Sequence, residues 1–167
     1  MKIPRQDVEF LITHQKELEF ALQACDASVF TPDFDREKPL EVSGTVAADL
    51  TKKLDTIIND CDVVPIHKSG LPCATALADS AYLLRRALVE ADTVIIAADP
   101  RLNEEENFLA QFYVTPPKLS EERHTLIHRD YLDSLDYARK ALELLKPLAR
   151  AYNFDINDLE IQGEMFL

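Results

Sequence analysis

The chain has few of the residues that build turn-rich or membrane-spanning proteins. It contains three glycines and no tryptophan in 167 residues. Scarce glycine disfavours a β fold with many tight turns, and abundant alanine, leucine and glutamate favour helices. The longest apolar stretch, residues 93–98, is far too short to cross a membrane as a helix. A length of 167 residues suits one core, so we predict a single domain over residues 1–167.

Cysteine is also scarce, and its positions form no recognisable framework. Cys25, Cys61 and Cys73 are odd in number and include no C-x-x-C pair, so we predict neither disulfides nor a zinc cluster. Three small buried thiols are the expectation. The first residues lack the apolar segment of a signal peptide, which makes a cytoplasmic location the expectation. We predict no cofactor, no bound metal and no association with membranes.

Basic residues are outnumbered by acidic ones. The chain has 18 Lys and Arg against 30 Asp and Glu, a net charge of −12. This charge disfavours wholesale binding to nucleic acids or anionic membranes. Residues 118–150 hold seven basic and six acidic side chains, which is a net charge of +1. The rest of the chain therefore carries a net charge of −13. A surface this acidic suits a basic protein partner.

Apolar residues recur at helical spacing over five segments. The pattern predicts helices over residues 4–26, 43–61, 72–98, 103–113 and 120–146, with N-caps at Ser43 and Ser120. Prolines make residues 30–42 a loop and interrupt the chain at 63–72. Residues 93–98 are apolar on most sides, and a strand is the alternative there. The sequence therefore predicts an all-α helical bundle of four to five helices, with the third and fifth as its central pair.

The predicted fifth helix carries the side chains best suited to chemistry. His124, His128 and Tyr131 lie on its apolar stripe, so both histidines face the core or a partner. Arg123 stands just before the stripe, about 140° around the helix from His128. The two could converge on a ligand at the helix start or across a dimer seam. Pro147 is expected to kink or end the helix.

Residues 123–128, R-H-T-L-I-H, resemble the R-x4-6-H motif of HEPN domains, in which a polar residue follows the arginine. HEPN domains are small helical bundles, many of them dimeric, and many are metal-independent ribonucleases of toxin–antitoxin or phage-defence systems. The resemblance implies Arg123 and His128 as the catalytic pair, His124 as their polar neighbour and RNA as the substrate. Histidine can act as general acid or base on the 2′-hydroxyl, and arginine can hold the phosphate.

The same side chains also fit structural roles. The histidines can be half-buried with structural partners, and Arg123 can be solvated. A metal site is disfavoured, because the chain has no second Glu-x-x-His and zinc would need a further ligand such as His14 or His67. The alternative function is that of a non-catalytic interaction protein, of immunity or adaptor type, with a basic protein partner.

Apolar surface outside the main stripes predicts a homodimer. Residues 93–98 and the tail at 164–167 offer more apolar surface than a small bundle easily buries. Closed two-fold pairing is the most common way to cover such surface. A homodimer would also allow a composite site built from two copies of the predicted fifth helix.

Overall fold

A computed structural model describes residues 2–28, 44–95 and 121–159 of the chain. These ranges contain four α-helices: α1 (Arg5–Ser28), α2 (Gly44–Val63), α3 (Leu71–Ile95) and α4 (Glu121–Arg150). A single 3-10 turn, Lys68–Gly70, precedes α3. The described ranges contain no strand, which confirms the all-α bundle. No helix within them is long and apolar enough to cross a lipid bilayer.

The helix bounds lie close to those predicted from periodicity. Each helix begins within one residue of its predicted start, and the interruption before α3 falls where the prolines place it. Residues 93–95 continue α3 as a helix, so the strand alternative is wrong for them. Several predictions lie outside the described residues: the loop at 30–42, the helix at 103–113, the caps Ser43 and Ser120, and the apolar residues 96–98 and 164–167.

The predicted stripes form the core of the bundle. The helix pair α3–α4 has the most extensive interface, which confirms it as the central pair, while α1 and α2 pack around it. The predicted stripe positions that are buried are Val8, Leu11, Leu18, Leu22, Cys25, Leu50, Leu54, Ile57, Leu77, Ala81, Leu84, Leu88, Tyr131, Leu135, Ala138, Leu142 and Leu145.

Buried polar groups set the register of α3 against α4. The hydroxyl of Ser80 donates to the carbonyl of Ser134 at 2.7 Å, and the hydroxyl of Ser134 donates to the carbonyl of Ser80 at 2.8 Å. The Cys73 thiol donates to the Ala141 carbonyl at 3.4 Å. Residue numbers rise along α3 as they fall along α4, so the two helices are antiparallel. Small side chains at these positions let the helices approach closely.

Pro147 does not end α4, contrary to one of the two expectations for it. The helix continues to Arg150 with Pro147 inside it. Only one turn follows the proline, and Ala149 in that turn is buried in the core, so packing offsets the missing backbone hydrogen bond. A turn over residues 151–153 follows the helix and ends at Asn153, whose φ of 60° is in the left-handed region that asparagine tolerates.

Candidate functional site

The predicted site residues belong to the first two turns of α4. The helix begins at Glu121, so its backbone carries Arg123 and His128 five residues apart, as the motif requires. The side chains of Arg123 and His124 lie outside the described residues. Whether they converge with His128 therefore stays a prediction. Of the three predicted site residues, Arg123, His124 and His128, only His128 has a described side chain.

His128 is half-buried on the stripe of α4, as its spacing predicts. Its ring atom Nε2 is buried, and Ile127 and Tyr131 beside it are fully buried. A general acid or base must come within hydrogen-bonding distance of the reacting group. Because Nε2 is buried, a substrate would reach that atom only if the groups that cover it moved aside.

An ion pair between a buried carboxylate and a half-exposed arginine lies close to this end of α4. The Asp130 side chain is 3% exposed and accepts two hydrogen bonds from Arg86 of α3, at 2.8 Å from Nε and 2.7 Å from Nη2. The hydrogen bonds to Asp130 raise the pKa of Arg86 above its ordinary value. Periodicity alone did not predict this pair. The sequence feature that could have indicated the pair is Asp130, which lies four residues before Ser134 and therefore on the same core-facing side of the helix. A carboxylate occupies such a position only with a partner.

A second buried polar pair joins α1 to α2. His14 Nδ1 lies 2.8 Å from the Phe10 carbonyl oxygen, and His14 Nε2 lies 3.0 Å from Asp60 Oδ2. His14 is nearly fully buried, and this geometry occupies both of its nitrogens in holding two helices together.

The residues that could have completed a zinc site have other partners. His14 is occupied as described, and His67 Nδ1 accepts a hydrogen bond from the Ser69 backbone at the start of the 3-10 turn. Within the described ranges, no group of three or more His, Cys, Asp or Glu side chains is placed to hold a metal ion. The arrangement of these residues offers structural hydrogen bonds rather than a coordination shell.

The three cysteines are free thiols in hindered positions. Cys25 and Cys73 are buried and Cys61 is half-buried. Burial raises the pKa of Cys61 to about 12, with a smaller contribution from Asp60, and burial likewise raises that of Cys73 to about 12. The thiolate is the nucleophilic form of cysteine. These two thiols are therefore poor candidates for covalent catalysis.

No family model, curated protein or solved structure matches this chain. The HEPN resemblance consequently rests on residues 123–128 alone and stays a prediction.

Proposed function

We propose that this chain is a non-catalytic helical interaction protein that binds a basic protein partner through its acidic surface. The observation that carries the proposal is the placement of charge. Helix α4 holds six acidic and six basic residues, whereas the whole chain carries −12. The excess negative charge thus lies outside the helix that bears the motif. A strongly acidic surface steers a basic partner toward it and selects against acidic ones.

The described candidates for catalysis support this proposal, because they serve structural roles. The hydroxyls of Ser80 and Ser134 bond to each other's backbone within the core, and the Nε2 atom of His128 is buried. Two of the thiols have a raised pKa. A catalytic group must be able to contact its substrate in a reactive form, and these groups are buried or, in the case of the thiols, have a raised pKa.

Affinity capture tests the interaction function. The immobilised protein is exposed to an extract of the cells that make it, beside an unrelated acidic protein of equal charge. We expect one or a few basic proteins to be retained by this chain alone and released as salt screens the attraction. Retention of the same set by both columns would show simple ion exchange and would contradict the proposal.

A HEPN-like ribonuclease, acting as a homodimer, is the second candidate. The observation that favours it is the position of Arg123 and His128 in the first two turns of α4, because a helix N-terminus attracts phosphate. This candidate predicts cleavage of RNA in the presence of EDTA. His128→Ala should then lower the rate about 100- to 10,000-fold without lowering the melting temperature.

Two further substitutions sharpen the ribonuclease test. Arg123→Lys should also inactivate, because an ammonium cannot reproduce the planar fork of a guanidinium on phosphate. His124→Ala should have a smaller effect if it only orients the pair. If the native protein cuts no RNA with or without EDTA, and His128→Ala lowers the melting temperature, His128 is a core residue and the ribonuclease candidate is wrong.

A further inference from the structure

Large apolar side chains form an exposed stripe along α3. Leu71, Tyr82 and Val89 are 48%, 52% and 44% exposed. Together with half-buried Ala78, they are spaced seven, four and seven residues apart, which places all four within about 20° of one line on the helix surface. The stripe spans about 27 Å. Single exposed apolar residues are ordinary, but an aligned set marks a surface for another molecule.

A groove runs beside this stripe, between α2 and α3. Its volume is about 400 Å³, and its apolar lining includes Ile58 and Cys61 of α2 with Ala74 and Ala78 of α3. The alanines leave room that a larger side chain would fill. Side chains of a partner helix can enter such a groove while its axis lies along the exposed stripe.

Among the described residues, the charged side chains that line the groove are all acidic: Asp55, Asp62 and Asp79. Asp55 forms an ion pair with Arg85. Asp62 and Asp79 are exposed, and no described residue forms an ion pair with either. The groove therefore combines an apolar floor with negative charge that no described residue neutralises at Asp62 and Asp79. A complementary partner would have an apolar face with basic side chains next to that face.

We propose that the α3 stripe and the α2–α3 groove together form the docking site for an amphipathic, lysine- or arginine-bearing helix of the partner protein. The inference rests on the interaction function proposed above and names the partner's chemistry. The partner's apolar face packs on Leu71, Ala78 and Tyr82, and its basic residues lie beside Asp62 and Asp79. A second copy of this chain is a poorer occupant, since a two-fold axis through Ala78 would bring each Asp79 close to its equivalent.

Synthetic peptides test the docking site directly. The probe is a fluorescent helix of about 18 residues with leucines in one stripe and lysines on its flanks. Two comparison peptides replace lysine by glutamate or scramble the order at constant composition. Fluorescence anisotropy at low ionic strength monitors the binding. We expect saturable binding of the first peptide only, and we expect added salt to weaken it.

Matched variants locate the binding surface. Tyr82→Ala should weaken binding of the peptide roughly tenfold or more, as loss of a central aromatic contact does. Phe20→Ala is its control, because Phe20 is 56% exposed on α1 and is not among the residues that line the groove. The double variant Asp62→Asn, Asp79→Asn should weaken binding and reduce its salt dependence. Asp49→Asn with Asp136→Asn removes the same charge elsewhere and should have little effect.

Several results would overturn the docking site. One is binding of the scrambled peptide as tight as that of the designed peptide. Another is an equal loss of peptide affinity in the Phe20→Ala and Tyr82→Ala variants. A third is a dimer in light scattering that Tyr82→Ala dissociates. The last result would assign the surface to a second copy of the chain. If a cellular partner is captured equally by the native protein and by Tyr82→Ala, the interaction function stands and this docking site is wrong. Peptide binding with the expected variant pattern but no cellular partner would instead count against the proposed function alone.

Discussion

At the scale of single residues, buried polar groups connect specific pairs of helices. Asp130 binds Arg86 across α4 and α3, and His14 binds Asp60 across α1 and α2. Apolar contacts alone tolerate small rotations and shifts, whereas a buried hydrogen bond is lost if its partner moves. These pairs therefore help to select one arrangement of the four described helices.

The Arg86–Asp130 pair should be asymmetric in its effect on stability. Arg86→Ala leaves the buried Asp130 carboxylate without its partner, and we expect the free energy of unfolding to fall by about 3 kcal/mol. Asp130→Ala leaves a half-exposed guanidinium that water can solvate, so we expect the free energy of unfolding to fall by only about 1–2 kcal/mol. Urea unfolding at neutral pH measures both changes.

Arg85 provides a matched control for this prediction. It is the neighbouring arginine on α3, and its ion pair with Asp55 has side chains 40% and 53% exposed. Arg85→Ala should lower stability by about 0–1 kcal/mol, the range of exposed ion pairs. Equal losses for Arg85→Ala and Arg86→Ala would show that burial of Asp130 does not determine the effect.

The thiols should react slowly in the folded protein. With pKa values of about 12, Cys61 and Cys73 hold little thiolate at mildly alkaline pH, and Cys25 is buried. We expect alkylation by iodoacetamide to be slow until urea unfolds the chain, with all three thiols reacting afterwards. Rapid labelling of a native thiol, located by peptide mass, would contradict the assigned burial.

Glu19 should make stability depend on pH. Burial raises its pKa above the ordinary 4.5, so the folded protein holds this proton to a higher pH than the unfolded chain does. Its contribution is fully present below pH 4.5 and is lost as pH rises through the folded-state pKa. Glu19→Gln stays neutral and can still accept the hydrogen bond from Gln15. We expect this variant to be more stable than the native protein at neutral pH.

The pH dependence separates this effect from the general benefit of removing negative charge. The stability difference for Glu19→Gln should shrink as pH falls through the raised folded-state pKa toward 4.5, and it should stay constant at lower pH. Glu17→Gln, on the same helix, gives the baseline for removing one negative charge. Chemical denaturation across the acidic range measures both variants. A constant difference at every pH would rule out burial of Glu19 as its cause.

At the scale of helices, local periodicity accounts for most of what is observed. A stripe repeating every three to four residues buries one side of each helix whatever it packs against, so α1 to α4 appear close to their predicted positions. Pro147 is the exception, because its local preference against a helix competes with burial of the turn that follows. Tertiary packing decided that competition, since propensity is a weak constraint beside core contacts.

Replacing Pro147 should stabilise the last turn of α4. Pro147→Ala restores a backbone donor within the helix and removes no core contact, because Pro147 is exposed. The free energy of unfolding should rise by about 1 kcal/mol, less than the full interior preference because one turn remains. Pro4→Ala, before α1, is the control and should change stability little. A loss of stability in urea for Pro147→Ala would contradict this account.

At the scale of the whole molecule, the chain after α4 folds back onto the start of α1. The Tyr152 hydroxyl donates to the Ile3 carbonyl, and the Lys2 ammonium lies over the Tyr152 ring at 4.5 Å. Phe154, Ile156 and Leu159 are partly buried against the core. This return places Tyr152 against the start of α1 and residues 155–157 beside both α1 and α4.

Shortening the chain tests the contribution of residues 154–159. A protein that stops after Asn153 should be less stable than one that stops after Leu159, by about 1–3 kcal/mol, because three partly buried apolar side chains are lost. Melting temperature and urea unfolding of the two proteins measure the difference. Indistinguishable curves would show that this segment rests on the bundle without stabilising it.

The sequence by itself determined the helices, the stripes that became the core, the central pair and the excess of negative charge. These properties are local or additive, so they can be counted along the chain. Only the tertiary structure decided the pairs Arg86–Asp130, His14–Asp60 and Ser80–Ser134, whose members are 44, 46 and 54 residues apart. It also decided that His128 Nε2 is covered and that the α2–α3 groove is open. The rotation of each helix against its neighbours sets these features, and no local pattern encodes that rotation.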